Sequence, residues 1–118
     1  MRISILVVAV VLSCLAQIAL AQDPAKQSPD KYKVIFENDK VRVLDVRLKA
    51  GDKSPMHSHP DYIIYSFTDS TVKFSSADGK SSDVNTHAGE CTYRAAESHT
   101  VDNIGNSEIH VLNIELKK

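Results

Sequence analysis

From Tyr32 onward the chain alternates short apolar runs with turn residues, and no segment there repeats its apolar positions at a helical interval. "KVIFEN" reads as a first strand closed by Asn38-Asp39. In "KVRVLDVRLK", Arg42, Leu44, Val46 and Leu48 face one way, and Val41, Val43, Asp45 and Arg47 the other. After a turn at Ala50-Gly51-Asp52, "YIIYSF" is apolar on both faces, the pattern of a strand covered on each side. Thr68-Asp69-Ser70 leads into "TVKFSS", and Ala77-Asp78-Gly79-Lys80 is an Asp-Gly hairpin turn before "SDVNT". "CTYRAA", "HTVDN" and "EIHVLNIELK" complete the series, with His110, Leu112, Ile114 and Leu116 on one face of the last. Many short strands at this spacing predict a small sandwich or closed barrel, and closure removes the exposed edges on which such chains aggregate.

The first residues do not follow this pattern. "MRISILVVAVVLSCLAQIALAQ" has a basic start at Arg2, an apolar run, and Ala19-Leu20-Ala21 in the arrangement of a signal peptidase site, so cleavage is expected after Ala21. A membrane anchor is the competing reading, and Ser13, Cys14 and Gln17 break the run it would need. A lipoprotein box at Val11-Leu12-Ser13-Cys14 is a third, opposed by the long apolar tail after Cys14. The expected organisation is a signal peptide over 1–21, a flexible leader over 22–31 and one domain over 32–118. The compartment would be periplasmic or extracellular.

Of the 118 residues, loss of the signal peptide removes Arg2 and takes the formal charge from −1 to −2. Basic blocks are absent and aromatic residues few, which argues against nucleic acid and against an anionic membrane surface as partners. Cys91 would then be the single thiol, so no internal disulfide can form. It reads as a buried small residue, with an intersubunit disulfide or a metal ligand as alternatives. Stability must come from packing, from metal or from a second subunit.

Against this background "SPMHSHPDYIIYSF" carries the first candidate chemistry. His57 and His59 stand two apart, so on a strand both point the same way, about 7 Å apart, and can converge on one ion. Taken alone, such a pair also fits a polar strand end. The surroundings add to it. Gly51 precedes the pair by the interval of the first cupin motif, and Gly89, His99 and Asn103 follow in the order of the second. From about Tyr32 to Lys118 the sequence resembles a small single-domain cupin of the exported kind, which implies an all-β jelly-roll barrel.

The resemblance carries His57, His59 and His99 onto the family's three metal-binding histidines, and implies a divalent ion: iron, zinc, manganese, nickel or copper. It also exposes departures. The family's ligand acid falls on Ile63 or Ile64, Thr68-Asp69-Ser70 stands at the later glycine, Ala95 and Glu97 replace the proline and glycine of the second motif, and His99 comes one residue early. Three neutral imidazoles leave the charge of a divalent ion uncompensated, so such a site attracts anionic ligands.

Asp61 is the first candidate for a fourth ligand. Tyr65 or Tyr62 could line the pocket; the competing reading is a core aromatic with its hydroxyl satisfied. Glu97 could serve as a base or be a solvated turn residue, and Arg94 could clamp a carboxylate or be a surface charge. His110 reads as a packed histidine and His87 as a turn residue. The resemblance implies a metal-dependent enzyme acting on a small organic molecule, in the first place an oxygenase. A non-catalytic module for a metal or small ligand, and a barrel kept for interactions, are the alternatives. A homodimer is expected, because small cupins pair and a barrel of this size gains core by pairing.

Overall fold

The computed structural model describes residues 22–118. The expected signal peptide over 1–21, Cys14 included, lies outside the described residues. Among the described residues one short helix, α1 (Pro24–Gln27), precedes nine strands. They are β1 (Tyr32–Glu37), β2 (Val41–Leu48), β3 (Lys53–His59), β4 (Tyr62–Ser66), β5 (Ser70–Ser75), β6 (Ser81–Thr86), β7 (Cys91–Arg94), β8 (Glu97–Asn103) and β9 (Ile109–Leu116). All pairings are antiparallel and form two sheets, β1-β2-β9-β4-β7 and β3-β8-β5-β6, in the jelly-roll manner.

Local chemistry accounts for the turns. Asn38 Oδ1 accepts from the N–H groups of Lys40 and Val41 at 2.8 and 2.9 Å, folding β1 back onto β2. In the β5–β6 hairpin Gly79 has φ of 84°, and Asp78 Oδ1 accepts the Lys80 N–H at 3.0 Å. Asn103, singled out by its place after His99, ties two loops together: its Nδ2 donates to Leu48 O and Ser107 O at 3.0 and 2.9 Å.

The core lies between the sheets, built on Leu44, Val46 and Leu48 of β2 with Tyr32, Val72, Val101, Ile109 and Val111. Replacing Leu44 or Leu48 by alanine should cost about 3 kcal/mol, as for other fully buried leucines. The inward face of β2 is the one read from the alternation, and it carries Arg42 inward with the leucines. On β9 the inward face is Ile109, Val111, Asn113 and Glu115, so the face of His110, Leu112, Ile114 and Leu116 looks outward and is half-buried. His110 Nε2 pairs there with Asp45 Oδ1 at 2.7 Å.

Two expectations are corrected. Residues 22–31 are not a flexible leader: Asp23 caps α1 by accepting the Ala25 N–H, Pro24 and Ser28 are buried, and Ala25 packs against the core. Cys91 is exposed, because β7 turns it to the outer surface of the first sheet. Among the described residues no helix is long and apolar enough to cross a membrane.

Candidate metal centre

Antiparallel pairing places the histidines. His57 and His59 share the inward face of β3, and β8 runs alongside so that His99 lies directly across from His57 and Glu97 across from His59. The imidazole centroids are 4.8 Å apart for His57–His59 and His57–His99, and 5.3 Å for His59–His99. All three residues are buried, and each offers a ring nitrogen within 4.8 Å of the others.

Hydrogen bonds fix two of the rings. The Pro55 carbonyl can only accept, so His57 donates to it through Nδ1–H at 2.9 Å and keeps Nε2 as an acceptor. His59 donates through Nδ1–H to Glu115 Oε2 at 2.8 Å, which leaves its Nε2 with a lone pair. His57 Nε2 and His99 Nδ1 are buried without a hydrogen-bond partner among the described residues. Unpaired buried imidazole nitrogens are costly, and a cation that takes their lone pairs removes the cost. The donor set therefore fits a divalent ion. Burial, then the charge His59 can carry, lowers His57 to about 4; burial, then His57, lowers His99 to about 3. Both are neutral at pH 7, the form a metal requires.

The opposite sheet presents a row of polar side chains at the same level. Arg42, Glu115, Tyr62 and Arg94 lie side by side across β2, β9, β4 and β7. Glu115 is 2% exposed. It accepts from Arg42 Nε at 2.7 Å as well as from His59, and although burial would raise its pKa, these two bonds outweigh it and lower it. Tyr62 stacks on His59 with centroids 4.3 Å apart and donates its hydroxyl proton to Glu97 Oε2 at 2.8 Å. Burial and that bond raise the phenol above its ordinary range, so it stays protonated.

Glu97 is a member of the site, not a solvated turn residue. Its Oε1 lies 3.3 Å from His99 Nδ1, close but not hydrogen-bonded. Burial would raise it, but Arg94 and Tyr62 outweigh burial and hold it at about 2. Arg94 does clamp a carboxylate bidentately, and the carboxylate is this one: Nη2 reaches Oε1 at 2.8 Å and Nε reaches Oε2. The guanidinium also lies 4.2 Å over the Phe74 ring.

Two candidates fall away. Asp61 Oδ1 accepts the Ala96 N–H at 2.8 Å and bonds the Tyr93 hydroxyl, which ties β4 to the β7–β8 turn and aims the carboxylate away from the histidines. Pro60 breaks the alternation just before it. Tyr65 lies on the outer face, paired with Leu112 and Cys91 and edge-on to Phe67 at 5.1 Å. Tyr62 takes the pocket position instead. His87 is exposed in its turn, 3.9 Å from Asp69.

Glu115 and Arg42 escape the sequence reading. Their one signal was parity: Arg42 alternates with three apolar residues on a core face, and a charge there needs a buried counter-charge. Beyond His59 and His99 a cavity of about 170 Å³ extends into the barrel, walled by Val46, Ile64, Val72, Val84, Ile109 and Val111. Ile64, one of the two positions where the acid was missing, is part of this apolar wall, while Ile63 looks outward toward Tyr93.

No family model matches the sequence, and no curated protein matches it. Solved structures do. The chain is similar to a cupin domain from Bordetella pertussis Tohama I, at 25% identity over 74% of this chain and 92% of that one, with a TM-score of 0.68. A conserved Klebsiella pneumoniae protein with a double-stranded β-helix domain aligns at 15% identity over 75% of each chain, TM-score 0.59. An RmlC-like cupin family protein from Methanocaldococcus jannaschii aligns at 11% identity over 73% of this chain and 78% of that one, TM-score 0.60.

Proposed function

We propose that this small single-domain cupin jelly roll is an exported metalloprotein whose His57, His59 and His99 would hold one divalent ion, and that it is an oxygenase acting on a small organic molecule. The observation that carries the reading is a buried three-histidine cluster whose ligand atoms lie within 4.8 Å of one another, with His57 Nε2 and His99 Nδ1 lacking a hydrogen-bond partner among the described residues. A bound ion of the iron type would supply the redox chemistry that no side chain here can.

The protein's own groups have other tasks. The two nearby carboxylates are each matched by an arginine, Glu115 by Arg42 and Glu97 by Arg94, so neither compensates the ion. An anionic head group on the ligand would do so. The apolar cavity then receives the rest of the molecule; its size is close to that of cavities known to admit benzene. The ligand class is thus a small carboxylate or thiolate with an apolar body. Tyr62 stays protonated, with its one proton donated to Glu97.

One observation favours a second reading, a non-catalytic binder of a metal or small ligand. Glu97 at about 2 and a Tyr62 pushed upward are both poor proton-transfer groups at neutral pH. Redox chemistry, if the protein is an enzyme, would have to be supplied by a bound ion. Export is inferred from the expected signal peptide with its Ala19-Leu20-Ala21 site, and would send the protein to the periplasm or out of the cell.

The test is elemental analysis of the purified protein beside a His57→Ala/His99→Ala variant. The expected result is close to one divalent ion per chain in the former and none in the latter; equal contents would remove the basis of the reading. Oxygen uptake with a panel of thiols and small carboxylic acids then separates enzyme from binder.

A further inference from the structure

The segment just before the barrel reaches both sheets at the level of the histidines. From the first sheet, Arg42 presents its guanidinium to Asp23, with Nη1 at 2.9 Å from Oδ2 and Nη2 at 3.1 Å from Oδ1. The same guanidinium holds Glu115 through Nε at 2.7 Å, and Glu115 holds His59 Nδ1 at 2.8 Å. A continuous chain of charge-assisted hydrogen bonds thus runs from Asp23 to His59. Arg42 forms its whole fork between two carboxylates, so its position depends on both.

From the second sheet, Ser58 stands between His57 and His59 and faces the other way. Its N–H donates to the Gln22 carbonyl at 2.8 Å and its hydroxyl to Gln22 Oε1 at 2.7 Å. That hydroxyl has one proton, so Ser98, which precedes His99, must donate to Ser58 Oγ across their 2.7 Å contact. Gln22 thereby fixes the outer side of both histidine-bearing strands. Buried Pro24 and Ser28, and the α1 turn capped by Asp23, anchor the segment.

We propose that residues 22–28 are a brace belonging to the metal centre, with Asp23 and Gln22 as positioning residues that hold His59 and the β3–β8 pair in ligating geometry. This rests on the three-histidine reading above. Groups that orient a ligating imidazole typically govern metal affinity by about tenfold to a hundredfold, and here the last member of the chain lies outside the barrel. The brace has a defined weak point, since Asp23 is the one carboxylate of the chain not supplied by a strand.

The test uses Asp23→Asn, which keeps the helix cap but loses the charged clamp on Arg42, with Lys26→Ala on the same segment as control. Cobalt(II) is titrated into each metal-free protein against a chelator, its visible absorption recorded, and the His59 Nδ1–H resonance followed by NMR without metal. We expect Asp23→Asn to bind cobalt at least tenfold more weakly, with an altered absorption band and a broadened or lost His59 signal, while Lys26→Ala matches wild type. Asp23→Asn with wild-type affinity and an intact signal overturns the brace. So does a loss of affinity that merely tracks a lowered melting temperature and appears equally in Lys26→Ala. If wild type itself takes up no cobalt, zinc or iron, the metal reading fails on its own, and the His59 signal alone decides whether Asp23 positions the ring.

Discussion

Glu115 and His59, 56 residues apart in the chain, meet at 2.8 Å inside the barrel, with Glu115 also held by Arg42. A carboxylate behind a ligating imidazole fixes its tautomer and raises its basicity. The acid absent from the ligand set thus stands one step back from it.

Glu115→Gln should keep the fold and weaken metal binding by about tenfold to a hundredfold, because the neutral amide no longer fixes the imidazole. Glu115→Ala should go further and destabilise the protein by about 1–3 kcal/mol, since it leaves Arg42 Nε and His59 Nδ1 without their buried acceptor. Chelator competition and urea denaturation measure the two effects. A Glu115→Gln protein with unchanged affinity would show that the His59 contact has no influence on the site.

The metal-free protein should lose stability as pH falls from about 6.5 toward 4. His57 and His99 are held at about 4 and about 3 when folded, but titrate near 6.5 when unfolded. Between those values the unfolded state binds more protons, so acid favours unfolding; above 6.5 neither histidine adds slope. Glu97 acts in the same direction at lower pH. Its contribution is full above about 4.5 and fades as pH falls toward 2. Denaturation midpoints at pH 7.5, 6 and 5 check this, and His99→Asn should flatten the upper part of the curve.

Cavity filling should separate ligand from metal. Val72→Phe narrows the apolar space without touching a histidine, so benzoate binding to the cobalt-loaded protein should weaken while cobalt affinity stays as in wild type. Butylamine, apolar but cationic, should not bind either protein. Calorimetry reads both, and tighter binding of the amine than of benzoate would count against an anionic head group at the ion.

A further prediction concerns assembly. Phe36, Val43, Ile114, Ile63 and Tyr93 form one cross-strand row over the outer face of the first sheet, with Phe36 53% and Tyr93 60% exposed. A monomer gains nothing from such a row. The protein should sediment as a dimer, and Ile114→Glu should shift it to monomer without altering its far-ultraviolet spectrum. A wild-type monomer at high micromolar concentration would rule the dimer out.

Much of this was legible in the sequence because strand geometry is local. Alternation located the strands, Asp-Gly and Asn-Asp pairs located turns, and the resemblance to the two cupin motifs pointed to His57, His59 and His99, which the fold brings together. The face of β9 was not legible. Leu112 and Ile114 are as apolar as Ile109 and Val111, so period-two alternation offers two faces and no means of choosing between them.

The sequence by itself determined an all-β chain with His57 and His59 on one face of a strand, because both follow from a repeat of two residues along a strand; His99 entered through the resemblance, and the β3–β8 pairing set it across from His57. Only the tertiary structure decided what surrounds them. Pairing of β2 with β9 set Arg42 beside Glu115, packing of the two sheets brought Glu115 to His59, and docking of the N-terminal segment closed the chain at Asp23. Each of those contacts joins residues far apart in sequence, and register and sheet packing, not local propensity, determine which of them meet.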